Sequence, residues 1–197
     1  MKEEQITPNQ RVSYTAYNPG FDTLHKLFTN VNDWLKFAEA KNLMLITFNG
    51  ASIYGSLKVF EMSWVADHLW IKWVVFFSIL LFVFSAILSL MSFVPGLKIL
   101  KGGEFTNENE KNIWFYETLK CMGKIEILQK FYNIEVQSFS TVEEDLAEQI
   151  IQNSKIASRK YAYFKVAVWL TIAAYATIIL AAFYFGFDYI NNNMQKP

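Results

Sequence analysis

The sequence predicts an all-α integral membrane protein with three helical spans, a small cytosolic helical domain and a long C-terminal helix continuous with the last span. Three observations predict it. Residues 73–97 and 166–187 contain no Asp, Glu, Lys, Arg or His, and an apolar run of about 18 or more residues reads as a membrane-crossing helix. Charged residues make up 18% of the 197, against roughly 25% in ordinary soluble domains. From Thr141 to Phe185 no Gly or Pro interrupts the chain, so nothing there supplies a joint.

These features exclude a soluble enzyme. The 18 Lys and Arg balance 18 Asp and Glu, leaving no strongly basic surface of the kind nucleic-acid binding needs. A single Cys121 rules out an internal disulfide framework. The first twenty residues are polar and lack an apolar core, so no cleavable signal peptide is expected.

The clearest span is 73–94, about 33 Å long at 1.5 Å per residue. Trp64, Trp70 and Trp73 gather at its start as an interfacial belt, and Pro95-Gly96 stop it, with Lys98 and Lys101 beyond. The last span, 166–187, is flanked by Tyr161 and Tyr163 at one end and by Tyr184 and Tyr189 at the other. A third segment, 42–57, is uncharged but has only 16 residues, with Asn49-Gly50 near its middle. Extended to Phe60 it spans with Lys58 snorkelling; otherwise it is interfacial or re-entrant. Lys and Arg number five in 1–41, two in 58–72, ten in 98–165 and one after 187. Three spans with the N-terminus inside put fifteen on the cytoplasmic side and three outside, whereas two spans weaken that bias. The expectation is therefore three spans, with the N-terminus cytoplasmic and the C-terminus outside.

The chain divides into an arm and amphipathic helix over 1–41, a membrane hairpin over 42–97, a cytosolic helical domain over 98–165, the last span over 166–187 and a tail over 188–197. Residues 1–21, with Pro8, Pro19 and Gly20, read as extended. From Asp22, a plausible N-cap, Leu24, Leu27, Phe28, Val31, Trp34, Leu35 and Ala38 recur at helical spacing. That stripe needs a partner, and 98–165 supplies one through the aromatic run Trp114-Phe115-Tyr116, a short helix over 124–132 and a capping box at Thr141–Glu144. Val142, Leu146, Ile150, Ala157, Tyr161 and Phe164 form an inward stripe on a helix of about 46 residues, roughly 69 Å.

Catalytic or metal chemistry is not expected. His25 and His68 fall on opposite sides of the membrane, Cys121 reads as a structural thiol, and no phosphate-cradling Gly-rich loop or zinc spacing occurs. Three constellations remain. On the first span Asn42, Asn49, Ser52 and Ser56 share an arc of about 80°, and on the second Ser78, Ser85, Ser89 and Ser92 share about 60°. Such stripes either line a wetted path or pack the spans, with small pairs such as Ala51/Gly55, Ser52/Ser56 and Ser85/Ser89 allowing close approach. The basic cluster Lys155, Arg159, Lys160 and Lys165 is either an anion site or a lipid-facing flank. Trp114, Phe115, Tyr116 and Tyr132 either stack on a base or form core.

Residues 31–50, VNDWLKFAEAKNLMLITFNG, followed by a span, and 144–165, EDLAEQIIQNSKIASRKYAYFK, leading into a terminal span, resemble the transmembrane effector family of the Pycsar anti-phage systems. The matching residues are Trp34, Phe37-Ala38-Glu39, Lys41, Asn49-Gly50 and the run from Asn153 to Tyr161. Glu39 stands where the family has Asp, and Asn42 where a small residue is usual. The resemblance implies a bacterial inner-membrane, antiviral effector of abortive infection that senses a nucleotide second messenger from a partner nucleotide cyclase or nucleotidyltransferase. It would then open the bilayer as a pore or ion channel, and 98–165 would be its sensor. It raises the phosphate reading of Lys155, Arg159 and Lys160, with Trp34, Lys41 and Trp114 completing a nucleotide site. Three spans are too few to enclose a conduit, so a symmetric homo-oligomer is expected. A Hailong-type effector held closed by an oligonucleotide is one alternative; a non-gated scaffold binding a protein partner is another.

Overall fold

The computed structural model describes residues 19–66, 68–94, 112–132 and 139–194. The expected N-terminal arm up to residue 18, the Pro95-Gly96 stop with Lys98 and Lys101, the polar stretch up to 111 and the end of the tail lie outside the described residues.

Among the described residues six helices occur, with no strand, in the order α1 (Pro19–Phe60), α2 (Ser63–Ala66), α3 (Leu69–Met91), α4 (Tyr116–Leu119), α5 (Lys124–Phe131) and α6 (Thr141–Met194). Three of them, α1, α3 and α6, are long and apolar enough to cross a membrane. They pack pairwise, all three against one another. At 1.5 Å per residue, the 42 residues of α1 make about 63 Å and the 54 of α6 about 81 Å.

The stripe on α1 finds its partner. Leu24, Leu27 and Val31 are fully buried against Leu119 and Met122 of the α4 end, Ile127 and Leu128 of α5, and Ala147, Ile150 and Ile151 of α6. This head joins the first halves of α1 and α6, so both helices leave it in the same direction and α3 returns between them. Burying each large aliphatic side chain contributes about 1.5–3 kcal/mol. At Gly20 the chains meet so closely that a Cβ would sit 2.9 Å from Tyr132 Cε1 and 3.1 Å from the Phe131 carbonyl oxygen.

The first membrane segment is helical straight through Asn49-Gly50, so no re-entrant turn forms there. Helix α6 runs unbroken past Lys155, Lys165 and Gly186.

Several local expectations are corrected. Asp22 lies within the first turn of a helix already formed at Pro19, a residue whose fixed φ suits the first helical position. The capping box sits one residue earlier than Thr141. Ser140 N and Oγ both donate to Glu143 Oε2, at 2.8 and 2.9 Å, and Glu143 N donates to Ser140 Oγ at 3.3 Å. Val142 consequently faces out, 64% exposed, and the inward face is Ala147, Ile150, Ile151, Ser154, Ala157 and Ser158. Helix α3 starts at Leu69, not Trp73, because Lys72 is tolerated half-buried in its first turn while Ile71 turns into the bundle. The short helices α2 and α4 have no periodicity long enough to read from sequence.

Candidate functional site

The junction between head and spans holds a cleft of about 290 Å³, lined by Leu35 and Glu39 of α1, residues 91–94 at the end of α3, and Ile156, Arg159, Lys160 and Tyr163 of α6. Lys160 Nζ lies 3.0 Å from Glu39 Oε1, and the two side chains differ in exposure, 11% for the lysine against 44% for the glutamate. The ammonium also stands 5.0 Å from the centroid of the Phe93 ring. A cation this buried requires a counter-charge. Arg159 borders the same cleft, half-buried. Tyr163 is 2% exposed, and its hydroxyl is buried without a hydrogen-bond partner among the described residues. Ser92 Oγ donates to the Ser89 carbonyl at 2.7 Å.

An aromatic knot occupies the other flank of α6. The Trp34 ring lies 6.0 Å from Phe115, 5.6 Å from Tyr116 and 6.4 Å from Tyr161, and Tyr116 stacks on Tyr161 at 5.1 Å. Lys41 Nζ sits 4.4 Å from the Phe37 centroid, 5.4 Å from Tyr161 and 5.6 Å from Phe164. Burial raises the Tyr116 phenol well above its ordinary range, helped by Glu117 and Tyr161, and burial raises Tyr161 as well. Beside the knot, the part-buried pair Lys120 and Glu117 ties to α6 through Lys120 Nζ donating to Ser158 Oγ at 3.0 Å.

Of the six residues read as a nucleotide site, the structure brings Arg159 and Lys160 to one cleft. Trp34 and Lys41 gather round Tyr161 instead, about 160° round α6 from Arg159. Lys155 is exposed one turn before Arg159 on the same face. Trp114 is 41% exposed, and its backbone carbonyl accepts from Asn30 Nδ2 at 2.7 Å. Glu39 and Tyr163 were not singled out as site residues, and no spacing rule links them across more than a hundred residues.

The polar side chains of the spans meet in the seam between helices. Asn49 Nδ2 donates to Ser85 Oγ at 2.7 Å, Ser85 Oγ lies 2.8 Å from Thr171 Oγ1, and Thr171 Oγ1 donates to Asn49 Oδ1 at 2.9 Å. The three side chains close a ring through all three spans, and the Ser85 and Thr171 hydroxyls share the Ala167 carbonyl as a further acceptor, at 2.7 and 3.1 Å. Ser52 Oγ meets the Tyr175 hydroxyl at 2.5 Å, and Ser78 Oγ meets Thr177 Oγ1 at 2.7 Å. Ser56, Ser89 and Ser92 are buried. Nearer the head, Asn42 Nδ2 donates to the Ala38 carbonyl at 2.9 Å and the Lys160 carbonyl at 3.3 Å. Thr171, Tyr175 and Thr177, isolated in the apolar run of α6, are the partners sequence reasoning missed. The small pair Ala51/Gly55 does not seat a neighbouring span: Ala51 and Gly55 border an open groove, and a Cβ at Gly55 would meet nothing within 4 Å.

The fold and these contacts define a class: a three-span helical membrane protein whose first and last spans rise unbroken from a helical head. The family described as the Pycsar effector protein domain matches residues 23–187, and the chain belongs to that family. It is therefore an anti-phage defence effector. It is similar to the Pycsar effector protein SaPycTM of Staphylococcus aureus, at 25% identity over 164 residues, which cover 82% of this chain and 92% of that protein. No solved structure matches it.

Proposed function

We propose that this effector is gated by a cyclic nucleotide made by a partner cyclase, and that ligand taken up at the head opens or disrupts the cell membrane through a homo-oligomer of the spans. The N-terminus and head lie on the cytoplasmic side, where such a signal is made. The observation that carries this reading is the continuity of α1 and α6. Each is built into the head core at one end, through Leu27 and Ile150, and into the polar seam at the other, through Asn49 and Thr171. A helix without a breaker has no soft joint, so a shift in the head displaces the seam. Family membership supports the defence role, and the Pycsar context supports the nucleotide signal.

A ligand moves such an equilibrium only by its difference in affinity for the two states. Arg159 and Lys160 are the side chains best disposed for phosphate, with Lys155 on the approach; Trp34, Lys41 and Trp114 serve the base or a neighbouring subunit. In the open oligomer Asn49, Ser52, Ser56, Ser78, Ser85, Ser89 and Ser92 exchange their bonds across the seam for water. The test is dye release from liposomes carrying the full-length protein, with each of the four 3′,5′-cyclic nucleoside monophosphates. Release with one of them supports the reading. Release that stops when a nucleotide is added supports the held-closed alternative, and no response to any of the four supports the scaffold.

A further inference from the structure

The cleft at the junction contains a cation that cannot be left alone and an anion that can. Lys160 is 11% exposed and Glu39 44% exposed, so parting them strands the lysine but lets the glutamate turn out to water. A buried cation needs a counter-charge at all times; it does not need this particular one. We propose that the Lys160–Glu39 pair is an exchangeable latch: a phosphate group of the signalling nucleotide enters the cleft, replaces Glu39 as counter-ion of Lys160, and so unties α1 from α6. This rests on the nucleotide-gated reading above and assigns it a site and a release step.

The cleft carries the chemistry the exchange needs. A phosphodiester anion offers acceptors only, so it must be met by donors. Arg159 and Lys160 supply charged ones. Tyr163, which lines the cleft, supplies a buried hydroxyl with no partner among the described residues, a group that costs free energy until something accepts from it. Ser92 lines the α3 end of the cleft, its hydroxyl already donating to the Ser89 carbonyl. The volume of about 290 Å³ lies at the lower limit of small-ligand clefts.

Position makes the exchange consequential. Glu39 and Lys160 join α1 to α6 at the level where the head gives way to the spans, beside the Asn42 bond to the Lys160 carbonyl. The bound state retains Lys160 with a counter-charge but loses the bridge between the helices. Glu39 thus acts as a tethered competitor that holds the resting state.

The test measures nucleotide binding to the detergent-solubilised full-length protein and dye release from liposomes, with the four cyclic nucleoside monophosphates as probes. Glu39→Gln removes the competitor, and the expected result is binding on the order of tenfold tighter together with release in the absence of nucleotide. Tyr163→Phe keeps the ring and removes the donor, and binding is expected to weaken by on the order of tenfold. Should Glu39→Gln fail to fold, the Tyr163→Phe binding constant decides alone. If wild type responds to a nucleotide and both variants bind it as wild type does, the latch is overturned and gating itself survives. Release by Glu39→Gln without tighter binding also overturns the exchange, leaving the pair as a strut between α1 and α6. A wild type that neither binds nor responds overturns both.

Discussion

Thr171 Oγ1 donates to Asn49 Oδ1 across 2.9 Å, joining the third of the last span nearest the head to the first span through groups 122 residues apart. Both are almost fully buried, at 5% and 0% exposure, in a region where no water is at hand to replace a lost bond. Asn49→Ala is expected to destabilise the folded protein in detergent by about 1–2 kcal/mol. A cycle with Thr171→Val should return a coupling of about 0.6–1.7 kcal/mol. Denaturant unfolding in micelles reads both, and additive effects would show that the ring carries no shared energy.

Gly20 leaves no space for a side chain beside Tyr132 and the Phe131 carbonyl. Gly20→Ala gains up to about 1 kcal/mol of helix propensity but forces a contact that costs about 1–3 kcal/mol. The Tyr132 ring is itself seated on Phe139, centroids 5.5 Å apart, so it has little room to retreat. A net loss of about 1 kcal/mol is expected in thermal unfolding, and Tyr132→Ala in the same background should recover part of it.

The buried phenols predict an alkaline limit. Tyr116 and Tyr161 are raised in the folded state, each chiefly by burial, so the folded protein holds their protons after the unfolded chain has released its own near pH 10. Their contribution to stability is complete below that pH and is lost as pH rises through the folded values. Absorbance at 295 nm should show a late-ionising fraction that shrinks with Tyr116→Phe and Tyr161→Phe together, the remainder coming from Tyr132, which burial and Glu143 also raise.

Replacing the exposed Lys165 and Val166 by glycine, together with exposed Ala40 on α1, softens both helices at the junction by about 1 kcal/mol per site and removes no buried contact. Nucleotide binding should persist while dye release falls several-fold. Equal release from the softened protein would mean the signal travels by another route.

How much of this was legible in the sequence follows from the range of the interactions. The stripe from Leu24 to Val31 and the uninterrupted run of α6 are local patterns, and the three spans, the head and the continuous last helix can be read from them. The cap fell one residue off because Ser140 and Thr141 both carry a hydroxyl, and only geometry says which one Glu143 reaches. Thr171 and Thr177 are unremarkable in a membrane helix until Asn49 and Ser78 stand opposite. The pairing of Lys160 with Glu39 was hidden for the same reason. A basic residue beside a span looks alike whether it faces lipid, a ligand or a carboxylate on another helix, and Lys155 is exposed while Lys160 meets Glu39 although the two lie within six residues.

The most direct test of the central idea is amide hydrogen exchange of the full-length protein in lipid nanodiscs, resolved over residues 36–45 of α1 and 158–168 of α6. Continuous helices predict protection with no fast-exchanging gap between the head and the seam. A stretch of unprotected amides at that junction in the resting protein would contradict it, since a joint there would absorb any motion of the head before it reached the bilayer.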